Sequence, residues 1–305
     1  MTAIDETLYG ELRPLLFSIA YRMLGSAAEA EDVVQESFLR LHRVADDEIR
    51  NPKAYLTTVA TRLSIDRLRS ARAQRERYVG TWLPEPIVVD EDLEAVTEAH
   101  AADAADSLSL AFLVLLESLN PVERAVFLLR EVFGYGYPEI ARVVGKREDN
   151  VRQIAARARR HVDERRPRFE ASREERDRLA ERFFAAAAAS DSEALAELLA
   201  PDVTFYGDGG GKVRGAIPRP VFGRDRVTRL LLGFARSRDE LELSMRLAHV
   251  NGQPGAVFFN PDGSPYSVIS LDVAGGAITA VRSVVNPDKL RHIAGRTHRS
   301  DASRS

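Results

Sequence analysis

The hydrophobic period changes once along this chain, and that change bounds the folds open to it. Up to about residue 165, apolar residues recur every three or four positions, the period of helices with one buried face. Beyond about residue 200, apart from one helical stretch over 224–235, they fall in short runs separated by glycine turns, as antiparallel strands do. A length of 305 residues accommodates two or three domains. The pattern predicts helical domains first and an α+β domain last.

In the helical part, Leu12, Leu16, Ile19 and Met23 form one stripe, stopped by Gly25. Ser26 stands three residues before Glu29, a capping box that opens a second helix over 28–42. Ala30, Val34, Ser37 and Leu41 face inward there, with Val33 and Phe38 beside them. Asn51 and Pro52 offer an N-cap and a first-turn proline for a third helix. Its stripe is Leu56, Val59, Ala60 and Leu63, and its far half carries Arg62, Arg67, Arg69, Arg72, Arg75 and Arg77. Residues 81–106 then read as a linker, with Pro84 and Pro86 near its start and acids but no lysine or arginine over 85–106.

Helices resume near Ser107, and Asn120, Pro121 and Glu123 make another capping signature. A short helix over 138–144, a turn at Gly145 and a basic helix over 148–165 form a helix-turn-helix. Val151, Ile154, Ala158 and Val162 would be its buried anchors. Arg152, Gln153, Ala156 and Arg157 face the other way, as base-reading side chains must. Lys146, Arg147, Arg159 and Arg160 are placed for phosphates. A two-helix hairpin with a solvated basic face is the plainer reading of the same residues. Glu148 and Asp149 weaken the local positive potential, so binding by this segment alone should be salt-sensitive.

The C-terminal part predicts helices over 174–189, 192–199 and 224–235, and strands over 203–206, 241–250, 255–259, 266–273 and 278–285. Residues 291–305 are polar and basic and are expected to lack structure. The absence of cysteine excludes disulfides and thiolate metal sites, and no metal or cofactor is expected. No apolar run approaches the ~18 residues of a membrane span, and the N-terminus lacks a signal pattern. A cytoplasmic protein is therefore expected. The net charge of −3 means that nucleic-acid binding must rest on local patches.

Three segments together resemble region 2 of the extracytoplasmic-function sigma factors. They are Ala30, Glu31, Asp32, Val33, Val34, Gln35, Glu36, Ser37 and Phe38; Asn51, Pro52, Lys53, Ala54, Tyr55 and Leu56; and Ile65, Asp66, Arg67, Leu68 and Arg69. Leu119, Asn120, Pro121, Val122, Glu123, Arg124 and the helix-turn-helix resemble region 4. Trp82, Leu83, Pro84, Glu85 and Pro86, then Asp208, Gly209, Gly210, Gly211 and Lys212, then Asn286, Pro287, Asp288, Lys289 and Leu290 are similar to signatures of the group with a C-terminal SnoaL-like domain. Tyr137 and Arg147 depart from the hydroxyl caps usual there.

The resemblance implies a multidomain fold: an all-α region 2 bundle over 1–80, an all-α region 4 over 107–168, and an α+β SnoaL-like, nuclear transport factor 2-like cone over 174–290. It implies a monomeric partner of core RNA polymerase and of promoter DNA, with no membrane role. Glu31, Asp32, Gln35 and Glu36 would dock on the β′ clamp coiled coil, and region 4 on the β flap. Asn51, Lys53, Arg62, Asp66 and Arg69 would hold the −10 element, and Arg152, Gln153, Ala156 and Arg157 would read the −35 element. The three C-terminal-group segments are expected to meet and regulate, with Trp82 either anchoring in a pocket or packing on the N-terminal domain.

A cone leaves room for an unidentified small ligand. Its acid–base candidates are Asp202, Asp208, His249 and Asp272, without catalytic spacing. Asp208 reads as a turn former and His249 as a structural histidine. The expectation is a regulator and not an enzyme. The alternatives are a one-component DNA-binding regulator with a ligand-sensing domain, or a SnoaL-type enzyme fused to a DNA-binding module.

Overall fold

The computed structural model describes residues 3–44, 49–75, 78–89, 107–164 and 171–300. They belong to two compact units, one of Met1–Arg77 with Leu113–Arg166, the other of Tyr78–Phe112 with Pro167–Ser305.

In the first unit, α1 (Ala3–Leu24), α2 (Ala27–Leu41) and α3 (Pro52–Arg75) pack on one another. Leu16, Ile19, Met23, Ala30, Val33, Val34, Leu56 and Ala60 are buried between them. Each large side chain so buried contributes about 1.5–3 kcal/mol. The boundaries follow local chemistry. Gly25 turns at φ 68°, Ser26 accepts the Glu29 N–H at 3.1 Å, and Asn51 accepts that of Ala54 at 3.0 Å.

After α4 (Leu110–Leu116), helix α5 (Pro121–Phe127) opens on the expected capping box. Asn120 accepts from Glu123 N at 3.0 Å, and the Glu123 carboxylate accepts from Asn120 N at 3.1 Å. It continues into a π-helical turn, Leu128–Val132, which the pattern did not foretell. Then come α6 (Tyr137–Val144) and α7 (Glu148–Asp163), joined through Gly145 at φ 65°. Arg124 is buried and ties these helices to α1. It donates to the Met23 carbonyl at 2.7 Å, the Leu116 carbonyl at 3.0 Å and Glu117 at 2.7 Å. A buried guanidinium is tolerated only when its donors are used in this way.

The second unit is a seven-stranded mixed sheet in the order β1-β4-β5-β6-β7-β2-β3. The strands are β1 (Val88–Val89), β2 (Leu199–Asp208), β3 (Val221–Phe222), β4 (Ser244–Val250), β5 (Gln253–Phe259), β6 (Pro265–Ala274) and β7 (Ala277–Val284). β4 to β7 form the expected antiparallel meander, and β2 runs parallel to β7. Helices α8 (Arg173–Ala188), α9 (Ser192–Leu198) and α10 (Arg224–Glu240) bury Phe183, Leu195, Val227 and Leu231 against Phe205, Leu271 and Val281. α11 (Pro287–Ser300) packs beside β6.

Two expectations needed correction. Val88 and Val89, read as linker, pair with Val250 and His249 as an edge strand. The chain beyond residue 290, read as unstructured, is helical to Ser300 because Leu290 and Ile293 share a buried face. The acids of 90–106, Arg77, residues 165–170 and 301–305, and the side chains of Arg72 and Arg75 lie outside the described residues. Among the described residues, no helix is long and apolar enough to cross a membrane.

Candidate nucleic-acid interface and linker anchor

α7 buries Val151, Ile154, Ala158 and Val162, and also Ala155. Arg152, Gln153, Ala156 and Arg157 are exposed on the other side, and Lys146, Arg147, Arg159 and Arg160 are exposed as well. Arg147 gives α7 no side-chain cap. Arg157 pairs with Glu123 at 2.8 Å, and Arg159 lies 3.5 Å from Asp163. Exposed pairs of this kind contribute at most about 1 kcal/mol, so a phosphate or base can displace them. Arg152 differs. It donates Nε and Nη2 to one oxygen of Glu148, at 3.1 and 2.5 Å, and its guanidinium carbon lies 4.5 Å from the Tyr137 ring centroid.

The −10 candidates do not form one cluster of hydrogen bonds. Asn51 uses its side-chain oxygen as the α3 cap, and Lys53 is exposed. Asp66 and Arg69 pair at 3.0 Å. Arg62 reaches the helix-turn-helix, donating Nε to the Val143 carbonyl at 2.8 Å and Nη2 to the Arg142 carbonyl at 2.9 Å. These carbonyls end α6, where a cation is favoured. Nearby, the Thr57 and Tyr135 hydroxyls lie 3.2 Å apart.

On α2, Asp32 and Gln35 are exposed and Glu31 and Glu36 half-buried. Arg13 pairs with Glu31, Arg67 with Asp32 at 3.5 Å and Arg40 with Glu36 at 2.8 Å. The Arg40 hydrogen bond holds the Glu36 carboxyl below the usual carboxylate range. Leu39, one turn from Gln35 and Glu36, is 52% exposed. Sequence reasoning passed over it. The signal was its absence from the inward stripe.

In the second unit, the three group-specific segments converge on one ammonium. Lys289 Nζ donates to Asp208 Oδ2 at 2.7 Å and to the Leu83 carbonyl. The same nitrogen lies 4.6 Å from the Trp82 ring centroid and 4.8 Å from that of Tyr78. Asp208 also accepts the Leu83 N–H at 2.8 Å and the Tyr78 hydroxyl, which in turn accepts from Asn286 Nδ2 at 2.8 Å. Burial, and then the Asp208 hydrogen bond, raise the Tyr78 pKa above the ordinary phenol value. Lys212 pairs with Asp288, whose carboxyl it holds below its usual value. Pro84 and Pro86 are buried, Glu85 is half-buried, and the Pro86 carbonyl lies 2.8 Å from His292 Nε2.

Close approach explains the glycines. A Cβ on Gly209 would fall 2.3 Å from Ala216 Cβ, and one on Gly210 2.3 Å from Asn286 Nδ2. Gly211, at φ 70°, lies against Val79. Tyr78 and Asn251 were missed. Asn251 accepts the Ile87 N–H at 2.8 Å and donates to the Leu108 carbonyl at 3.0 Å, holding both ends of the linker. The Asn251-Gly252 pair marks a hairpin turn, but nothing local shows what the amide would hold.

Three of the four acid–base candidates are engaged with other side chains. Asp208, read as a turn former, is instead fully buried and ion-paired. Asp272 pairs with Arg282 at 2.8 Å. His249 lies 2.9 Å from Asp177 and 3.2 Å from Arg173, in keeping with a structural histidine. Asp202 is exposed.

Three family models match the chain. Sigma-70 region 2 covers residues 8–74, Sigma-70 region 4 covers 109–162, and a SnoaL-like domain covers 180–285. The chain is 40% identical over 295 residues to the ECF RNA polymerase sigma factor SigJ of Mycobacterium tuberculosis, covering 94% of this chain and 93% of that one. It is 32% identical over 282 residues to the probable sigma factor SigI of the same species, covering 91% and 92%. The crystal structure of M. tuberculosis SigJ superposes with a TM-score of 0.73 at 36% identity, covering 93% and 97%.

Proposed function

The chain belongs to the extracytoplasmic-function sigma factors, which act with RNA polymerase in transcription initiation, and from that premise we propose how its parts divide the work. α2 presents Glu31, Asp32, Gln35 and Glu36, with Leu39 beside them, to the polymerase β′ clamp coiled coil. An apolar residue among charges is what a protein interface uses at its centre. Region 4 meets the β flap. Asn51, Lys53, Arg62, Asp66 and Arg69 hold the −10 element, and a flipped base there must recover a few kcal/mol of unstacking through new contacts. Arg152, Gln153, Ala156 and Arg157 read the −35 element, and Lys146, Arg147, Arg159 and Arg160 meet phosphate.

The hydrogen bonds from Arg62 of α3 to the end of α6 imply that this form is not the one that reads a promoter. By their names the two elements lie about 25 base pairs apart, roughly 85 Å at 3.4 Å per pair. Helices in hydrogen-bonded contact do not reach both, so the first unit opens on engagement.

The SnoaL-like domain acts as a built-in regulator that works by holding, with no catalytic step. The observation carrying this is the Lys289 ammonium, which fastens the Trp82–Leu83 stretch to Asp208. That stretch lies in the chain segment connecting region 2 to region 4. Anchoring it fixes how much slack the two regions have.

The test is run-off transcription with core polymerase, comparing the full chain with its Lys289→Met and Asp208→Asn variants. Promoter-specific transcript that changes with either variant is expected. Transcript unaltered by both would remove the regulatory role. The absence of transcript from any form, on a promoter library, would move the assignment to a one-component regulator.

A further inference from the structure

Tyr137 opens α6, and its ring holds two guanidinium groups. The Arg130 carbon lies 4.6 Å and the Arg152 carbon 4.5 Å from the ring centroid. Arg130 donates to the Tyr135 carbonyl at 3.1 Å, which ties it to the turn before α6. Arg152 stands in the second turn of α7 on its exposed side. Tyr137 is not needed to cap its own helix. Gly136 is the N-cap, and its N–H is taken by Glu139 at 2.8 Å.

The Arg152 guanidinium is thus held twice. A guanidinium carries five N–H donors in a rigid plane. Glu148 accepts from Nε and Nη2, engaging one edge of that plane. The Nη1 hydrogens and the outer Nη2 hydrogen remain on the end of the fork. The ring lies against the guanidinium, and the carboxylate takes one edge of it. The end so presented is the one that can pair with O6 and N7 of a guanine. An arginine without such bracing must give up its rotamer freedom on binding.

We propose that Tyr137 is a positioning residue for promoter recognition: its ring presets the fork of Arg152 and so strengthens discrimination at one base pair. This rests on the reading of Arg152 as a base-contacting residue. Cation–π contact at an exposed site changes an equilibrium by about two- to five-fold, which sets the size of the effect. Loss of Arg152 itself removes a bidentate contact, about five- to 150-fold.

The experiment uses the full chain with core polymerase on promoters randomised across the −35 element, with transcripts counted by sequence. Arg152→Ala should flatten preference at one position. Tyr137→Leu, which keeps apolar bulk without a π face, should weaken preference at that same position by about two- to five-fold and leave the others unchanged. Tyr137→Phe should keep the wild-type profile, and Tyr137→Leu should add nothing in the Arg152→Ala background. An unchanged profile with Arg152→Ala would overturn the reading of Arg152, and the proposal with it. Flattening by Arg152→Ala but not by Tyr137→Leu would overturn the proposal alone. So would a Tyr137→Leu loss spread evenly over all sequences, which marks a purely structural role.

Discussion

Arg62, on the helix assigned to the −10 element, donates its Nε to the main-chain carbonyl of Val143 in the helix-turn-helix at 2.8 Å. The residue expected to meet one promoter element is thereby engaged with the module expected to read the other. On the proposed roles of these two elements, release of this contact accompanies promoter binding. The Thr57–Tyr135 hydroxyl pair supports the same packing without belonging to either DNA-reading set.

Tyr135→Phe should therefore loosen the closed arrangement. A single hydrogen bond of this kind contributes about 0.5–1.5 kcal/mol. The variant should associate with core polymerase a few-fold faster, measured by stopped-flow with labelled polymerase. Slower or equal association would argue that closure does not limit binding.

Lys289→Met should strand the fully buried Asp208 carboxylate. Breaking a buried pair by removing one partner costs about 3–5 kcal/mol. Thermal unfolding should fall accordingly, and proteolysis should cut sooner within residues 78–89. Lys289→Arg should rescue poorly, because a planar fork does not fit between two rings and a carboxylate shaped around a point charge. Full rescue would show that only the charge matters.

Gly210→Ala should destabilise the same anchor. The added Cβ would lie 2.3 Å from Asn286 Nδ2 and 2.9 Å from the Tyr78 hydroxyl, at a backbone φ of 57°. The left-handed conformation alone costs an alanine roughly 1–2 kcal/mol. Gly263→Ala offers a control at φ 81°, where the new methyl meets nothing within 4 Å. A chemical-denaturation series should show the Gly210 variant losing more.

Tyr78 gives the anchor an alkaline limit. Its pKa in the folded chain is raised, chiefly by burial and then by Asp208. Its contribution to stability is therefore present below the ordinary tyrosine pKa, about 10, and is lost as pH rises through the higher folded-state value. Above about pH 10, wild-type stability should fall more steeply with pH than that of Tyr78→Phe. Parallel curves from pH 8 to 11 would refute the assignment.

Arg124→Met should weaken the first unit by taking the guanidinium donor from the Met23 carbonyl, whereas the Leu116 carbonyl keeps the Leu119 N–H at 3.0 Å. The expected cost is about 1–3 kcal/mol for a buried group left unsatisfied, read from equilibrium unfolding.

What the sequence determined by itself is local. Helix starts at Ser26, Asn51 and Asn120 were legible because a cap acts within three residues of itself. The buried face of α7 was legible because helical period fixes which side chains share a side. The three group-specific segments were legible as related, since each is a short contiguous string. Tertiary structure decided what those residues touch. Asp208, beside three glycines, has the local marks of a turn, and only folding brings Lys289, Tyr78 and Leu83 to its carboxylate. Val88 and Val89 become a strand only because β4 offers an unpaired edge. Arg62 looks like a surface cation until α6 supplies its carbonyls, 80 residues away. Caps and periodicity act between near neighbours, whereas a buried charge takes its partner from wherever the chain returns, and a single sequence does not encode that distance locally.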